Sequence, residues 1–267
     1  MTGWIKVSKS NPCKVCGKSD WCTISSDTGF SCCMRVQSDF PIANGGWLHK
    51  GDSVIQKEMM RNEKPVTPAH TLDAVAWWSA ARRAINLEKL DVWAERLGIP
   101  CSYLLFMGAT TACEMLCFPM RDGTGKICGI RTRNINGDKK AITGSKAGVF
   151  IPGVHDADRE PIICEGPTDA ASAMALGFEP IGRPSCLGCE VQVIDTLKRF
   201  GNKTVTLCAD NDGPGINGAK KLLDTLRAAR ISVRVVTPGI HKDLRDWLKA
   251  GATSEIVRNQ WSQAEWR

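Results

Sequence analysis

Tyrosine is nearly absent from this chain: Tyr103 stands alone among 267 residues. Chemistry that holds a substrate covalently on a phenolic oxygen therefore has a single candidate side chain. Long apolar runs are missing too, none approaching the roughly 18 residues that read as a membrane-crossing helix. The N-terminal MTGWIKVSKSNP has no apolar core of the kind a secretory signal carries. These absences predict a cytosolic chain. The phosphate-cradling pattern G-x-x-x-x-G-K-[ST] occurs nowhere, which excludes a motor of that type.

Cysteine, by contrast, is abundant, with 13 residues. In a cytosolic chain such a count argues for metal binding and buried thiols rather than disulfides. Five fall early: Cys13, Cys16, Cys22, Cys32 and Cys33. Cys13-Lys14-Val15-Cys16-Gly17 has the shape of a zinc knuckle, because its spacing lets two thiolates grip one tetrahedral ion. No second C-x-x-C completes the site. Cys22 and Cys33 are the favoured remaining ligands, with Cys32 and His49 in reserve. Four protein ligands would make the zinc structural, the staple of a segment short of apolar core. Residues 1–50 are read as this zinc-binding module and 51–70, polar and closed by Pro65 and Pro68, as a linker.

Helical patterns follow. One begins near Thr71; Asn86 caps the next, which stops at Gly98. Trp77, Trp78 and Trp93 are read as core. The stretch CEMLCFPMRDGTGKICGIRTRN reads as a hairpin turning at Asp122-Gly123 and Gly125. Its second strand carries Arg131 and Arg133 two residues apart, so both leave one face. Lys139, Lys140 and Lys146 make this the densest basic patch of a chain with net charge +7. That charge suits a polyanionic partner.

Three short apolar runs then end in acids. Pro161–Cys164 ends in Glu165-Gly166, followed by Asp169. Val205–Ala209 ends in Asp210-Asn211-Asp212, and VRVV leads to His241-Lys242-Asp243. Such runs read as buried parallel strands, whose parallel order brings their carboxyl ends to one edge. Paired carboxylates there suit a hard divalent cation. Asp169, in the first turn of its helix, is read as a helix-start acid favoured by the dipole. Cys186 and Cys189 form a C-x-x-C with no second pair nearby and are read as loop packing.

The order E-G-x-x-D-A, D-x-D-x-x-G, K-D resembles the toprim domain of primases, topoisomerases and some nucleases. The preceding F-P-M-R-D-G-x-G-K-x-x-G-I-R-x-R is similar to the segment before toprim in bacterial replicative primases and in the primase half of phage primase–helicases. Gly182-Arg183-Pro184-Ser185-Cys186 resembles toprim primase-like proteins of phages, plasmids and integrated elements. The resemblance implies an α/β fold. A toprim-type parallel sheet flanked by helices (156–267) follows a small basic α+β subdomain (71–155) and the zinc module.

It further implies a DNA primase, a nucleotidyltransferase using Mg²⁺ or Mn²⁺ at Glu165, Asp210, Asp212 and Asp243. Glu165 is either a metal ligand or the general base on the attacking hydroxyl. Asp246 is an additional candidate ligand. Arg131, Arg133 and Lys140 would bind triphosphate or the template-primer backbone. Lys242 would orient a phosphate or neutralise the acids; Arg183 would contact nucleic acid or pair with an acid. The implied partners are a single-stranded DNA template, nucleoside triphosphates and a separate replicative helicase. The zinc cysteines are not spaced as in the replicative enzymes, so template-sequence recognition does not carry over. A topoisomerase fits poorly, with one tyrosine and no room for gate domains. A toprim nuclease and a non-catalytic recombination factor are the competing readings.

Overall fold

The computed structural model describes residues 3–26, 29–42, 45–50 and 71–266. The expected linker, 51–70, lies outside the described residues. The chain divides into two compact units, residues 1–68 and 69–267.

The first unit is an antiparallel sheet of four three-residue strands: β1 (Trp4–Lys6), β2 (Thr23–Ser25), β3 (Ser31–Cys33) and β4 (Trp47–His49). Its buried cluster is Val7, Cys13, Cys22, Ile24 and Cys33. Most of that core is thiol, too little apolar surface to hold a fold unaided.

The second unit opens with α1 (Ala74–Arg83), α2 (Leu87–Leu97) and α3 (Cys101–Phe106). Asn86 caps α2 by accepting from the Lys89 N–H at 2.8 Å, and Gly98 ends it in the left-handed conformation. Trp93 is buried, and Trp78 donates its indole N–H to the Gly108 carbonyl at 2.9 Å. The core reading holds fully for Trp93, while Trp77 and Trp78 are half-buried against the cluster of Cys117 and Ile130. A second antiparallel sheet runs β5 (Thr110–Ala112), β6 (Met115–Arg121), β7 (Ile127–Arg133) and β8 (Lys139–Ala141), in sequence order. The expected hairpin is β6–β7.

The parallel sheet contains β9 (Pro161–Glu165), β10 (Glu179–Arg183), β11 (Thr204–Cys208) and β12 (Ser232–Val236), in the order β10-β9-β11-β12. Its helices are α4 (Gly166–Ala175), α5 (Glu190–Arg199), α6 (Gly213–Ala228), α7 (Leu244–Lys249) and α8 (Ser254–Trp261). Alternation along each strand feeds two cores. Ile162, Cys164, Cys208 and Val236 pack with α4, α7 and α8 on one face; Ile163, Val205, Leu207 and Val233 pack with α5 and α6 on the other. Burial on both faces is why these strands read as unbroken apolar runs.

Two residues join the sheets. Val149 exchanges both backbone hydrogen bonds with Arg121 of β6, and Phe150 exchanges both with Gly182 of β10, all at 2.8 Å. Leu116 and Phe118 of β6 share a core with Ile162 and Cys164 of β9. The hairpin is thereby held in register with the parallel sheet. Among the described residues no helix is long and apolar enough to cross a membrane.

Candidate functional site

Strand order places the site. From β9 the chain passes to β10 on one side, then crosses to β11 on the other. The carboxyl ends of β9 and β11 therefore flank a topological switch point, where open α/β sheets leave a crevice for ligands. Glu165 ends β9, and Asp210 lies just beyond β11. Here a cleft of about 300 Å³ is lined by Glu165, Asp169, Asp210 and Asp243 on the acidic side, and by Arg131, Arg133, Lys139, Lys242 and Arg245. A larger cavity of about 490 Å³ lies between α6, β12 and the C-terminal segment, with Lys220 and Glu265 as its charged lining.

Each acid is fixed by local chemistry. Asp243 caps α7, one oxygen accepting from the Asp246 N–H at 2.8 Å. Asp212 caps α6 in the same way, accepting from the Gly215 N–H at 2.8 Å. A Cβ on Gly215 would stand 2.7 Å from the Asp210 carbonyl oxygen, so the D-x-D-x-x-G spacing needs glycine there. The Asn211 N–H donates to the Lys242 carbonyl at 2.8 Å and ties the D-N-D loop to the K-D loop.

Crowding shows in the acidities. Burial, then the charges of Asp169, Glu165 and Asp243, push Asp210 up to about 8. Burial and the Asp243 charge push Asp169 up to about 7, although the Arg245 N–H donates to it at 3.1 Å. Burial also raises Glu165, with Arg183 opposing. The cations answer in kind: burial and Arg245 lower Arg133, whose Nη1 is buried without a hydrogen-bond partner.

The structure brings together Glu165, Asp210, Asp243, Arg131, Arg133 and Lys242 as the sequence anticipates. Asp212 caps α6, and its charge still reaches the cleft, adding to burial in raising both Glu165 and Asp210. One expectation changes. Lys140 pairs with Thr132 on the opposite face of β8, while Lys139, opposite Arg133, takes the place foreseen for it. Arg183, for which the sequence leaves nucleic-acid contact and an acid partner equally open, is 3% exposed and takes the second course. It donates to the Gly188 carbonyl at 3.0 Å and lies 3.7 Å from Glu190. Asp169 and Arg245 were missed as cleft residues. Asp169 had a signal: four residues after Glu165 at a helix start, it returns to the same side.

Cys13, Cys16, Cys22 and Cys33 converge, their sulfurs all within 4.8 Å of one another. Cys16 and Cys22 are 3.8 Å apart, Cys22 and Cys33 4.0 Å. Thiolates about 2.3 Å from a tetrahedral zinc stand about 3.8 Å apart, so the quartet fits. The Met34 and Val36 N–H groups donate to Cys22 and Cys33 at 3.4 and 3.3 Å, support a thiolate needs. Cys32 alternates away on β3, and His49 Nε2 is engaged with the Val36 carbonyl at 2.9 Å, so neither reserve enters. Among the described residues no three carboxylates bring oxygens equally close.

The fold and the cleft define a toprim-type α/β core. Residues 162–248 match the Toprim-like family model. The DNA primase of Deinococcus radiodurans is 28% identical over 153 residues, 52% of this chain. That match spans 26% of the relative's own length. Among solved structures, the DnaG catalytic core superposes with a TM-score of 0.53 at 14% identity, covering 67% of this chain and 73% of that one. A DnaG primase catalytic domain bound to single-stranded DNA gives 0.51 at 15% identity, covering 67% and 72%. The chain is thus similar to bacterial DNA primases in sequence and shares the fold of their catalytic core.

Proposed function

We propose that this protein is a DNA primase that joins nucleoside triphosphates into short primers on single-stranded DNA. The observation that carries the reading is the cleft setting Glu165, Asp210 and Asp243 opposite Arg131, Arg133 and Lys139. Priming needs both halves: acids for divalent cations and a cationic wall for triphosphate and backbone.

Glu165, Asp210 and Asp243 would hold Mg²⁺ or Mn²⁺, with Asp169 behind them. Once bound, the ion offsets charge on the attacking and leaving oxygens. Arg133, with a buried nitrogen unpartnered, and Arg131 orient the triphosphate. Lys139 and Lys242 hold backbone phosphates at the mouth. Glu165 serves either as a ligand or as acceptor of the primer hydroxyl's proton. Cys13, Cys16, Cys22 and Cys33 would hold a structural zinc, leaving no open position for chemistry. A replicative helicase is the proposed unwinding partner. The resemblance in Gly182–Cys186 favours a phage, plasmid or integrated element as the replicon.

The test is a primer-synthesis assay with single-stranded DNA, labelled ribo- or deoxyribonucleotides and Mg²⁺ or Mn²⁺. Short products are expected from the parent, reduced roughly a hundredfold or more in Asp210→Ala. Equal synthesis by that variant overturns the acid assignment. Shortening of the DNA instead would identify a nuclease using the same acids.

A further inference from the structure

Arg245 sits inside the acid cluster rather than across from it. Its Nη2 lies 3.4 Å from Asp243 Oδ2 and 3.2 Å from Asp246 Oδ1, and its side chain is 19% exposed. Its backbone N–H holds Asp169 at 3.1 Å. Arg133 and Lys139 line the same cleft.

The two side-chain contacts share one nitrogen and are long. Charge-assisted guanidinium–carboxylate bonds run about 2.7–2.9 Å and favour a two-pronged fork. Arg245 therefore compensates the acids without being locked to them. Asp243 commits Oδ1 to the α7 cap and Oδ2 to Arg245. A cation arriving at Asp243 competes with the guanidinium for the same oxygen. Released from Asp243, Arg245 keeps Asp246 Oδ1 at 3.2 Å and faces a cleft lined by Glu165, Asp169 and Asp210 as well as by Arg131, Arg133 and Lys139. A phosphate seated among those cations offers it a two-pronged partner, which guanidinium binds in a fork.

We propose that Arg245 is a resident counter-cation that a divalent ion displaces from Asp243, and that the freed guanidinium then binds the triphosphate. This exchange couples metal to nucleotide. It rests on the reading of the cleft as a metal and triphosphate site, and makes Arg245 a competitor of the metal and a triphosphate-binding residue.

The experiment titrates Mn²⁺ alone into the full chain, followed by calorimetry and by the Mn²⁺ paramagnetic resonance signal, in wild type, Arg245→Gln, Arg245→Lys and Asp210→Asn. Loss of the competitor should tighten Mn²⁺ binding about fivefold or more in Arg245→Gln. Structural damage would weaken it. Arg245→Lys, still a cation, should bind Mn²⁺ like wild type. In a second arm a fluorescent ATP analogue is titrated at fixed free Mn²⁺, where both variants should bind several-fold more weakly. Equal or weaker Mn²⁺ binding by Arg245→Gln overturns the counter-cation role. Unchanged ATP affinity overturns the phosphate half. Wild type that binds no Mn²⁺, or binds it equally in Asp210→Asn, overturns the reading of the cleft itself.

Discussion

Asp210 and Asp169 keep their protons where ordinary aspartates have lost them, at about 8 and about 7. Burial is the first cause and like charge the second. In the unfolded chain both would ionise near pH 3.9. Between about pH 4 and 8 the folded state thus binds more protons, so these groups make stability fall as pH rises through that window. Asp210→Asn removes one such group. Its melting temperature, in buffer free of added divalent ions, should fall less than wild type from pH 5 to 8.5 and exceed it at pH 8.5. Millimolar Mg²⁺ at that pH should raise wild type more than the variant. Parallel melting curves would contradict the placement of Asp210 among repelling acids.

Elements owe their positions to close contacts. The pairing of Phe150 with Gly182 brings the hairpin segment against the edge of the parallel sheet. An added Cβ at Gly182 would lie 2.6 Å from the Gly166 carbonyl oxygen and 3.0 Å from the Ala170 Cβ. Gly166 directly follows Glu165, so relief of that clash must move the turn carrying a cleft acid. Gly182→Ala should cost about 1–3 kcal/mol in urea unfolding and depress primer synthesis beyond the loss of folded protein. A variant with unchanged unfolding midpoint would show that α4 yields freely there.

Across the whole molecule, the two units have different sources of stability. Residues 69–267 have extended apolar cores on both faces of a sheet. Among its described residues the first unit has a buried cluster of five, three of them cysteines. A metal held by its thiolates would add folding energy to that small core. A strong chelator should expose that unit to protease while a resistant fragment starting near residue 70 survives. Simultaneous digestion of both units, or resistance of both, would contradict this division.

Whatever depends on neighbours along the chain is legible in the residues alone. The caps at Asn86 and Gly98, the β6–β7 hairpin, the one-sided Arg131 and Arg133, the acids at strand ends and the Cys13–Cys16 pair follow from period, turn chemistry and spacing, while the choice of Cys22 and Cys33 over Cys32 and His49 comes from the fold. Whatever depends on distant segments meeting is legible only once the chain has folded. Asp169 reads as a helix-start acid until parallel packing brings the Arg245 N–H, 76 residues on, to its carboxylate. Lys139 and Lys140 are indistinguishable until pairing with β7 fixes which of them faces the cleft. Arg183 leaves contact and ion pair equally open until β10 is seen buried along its length, with Glu190 beside it. A lone strand has two equal faces; only its partners make one of them the inside.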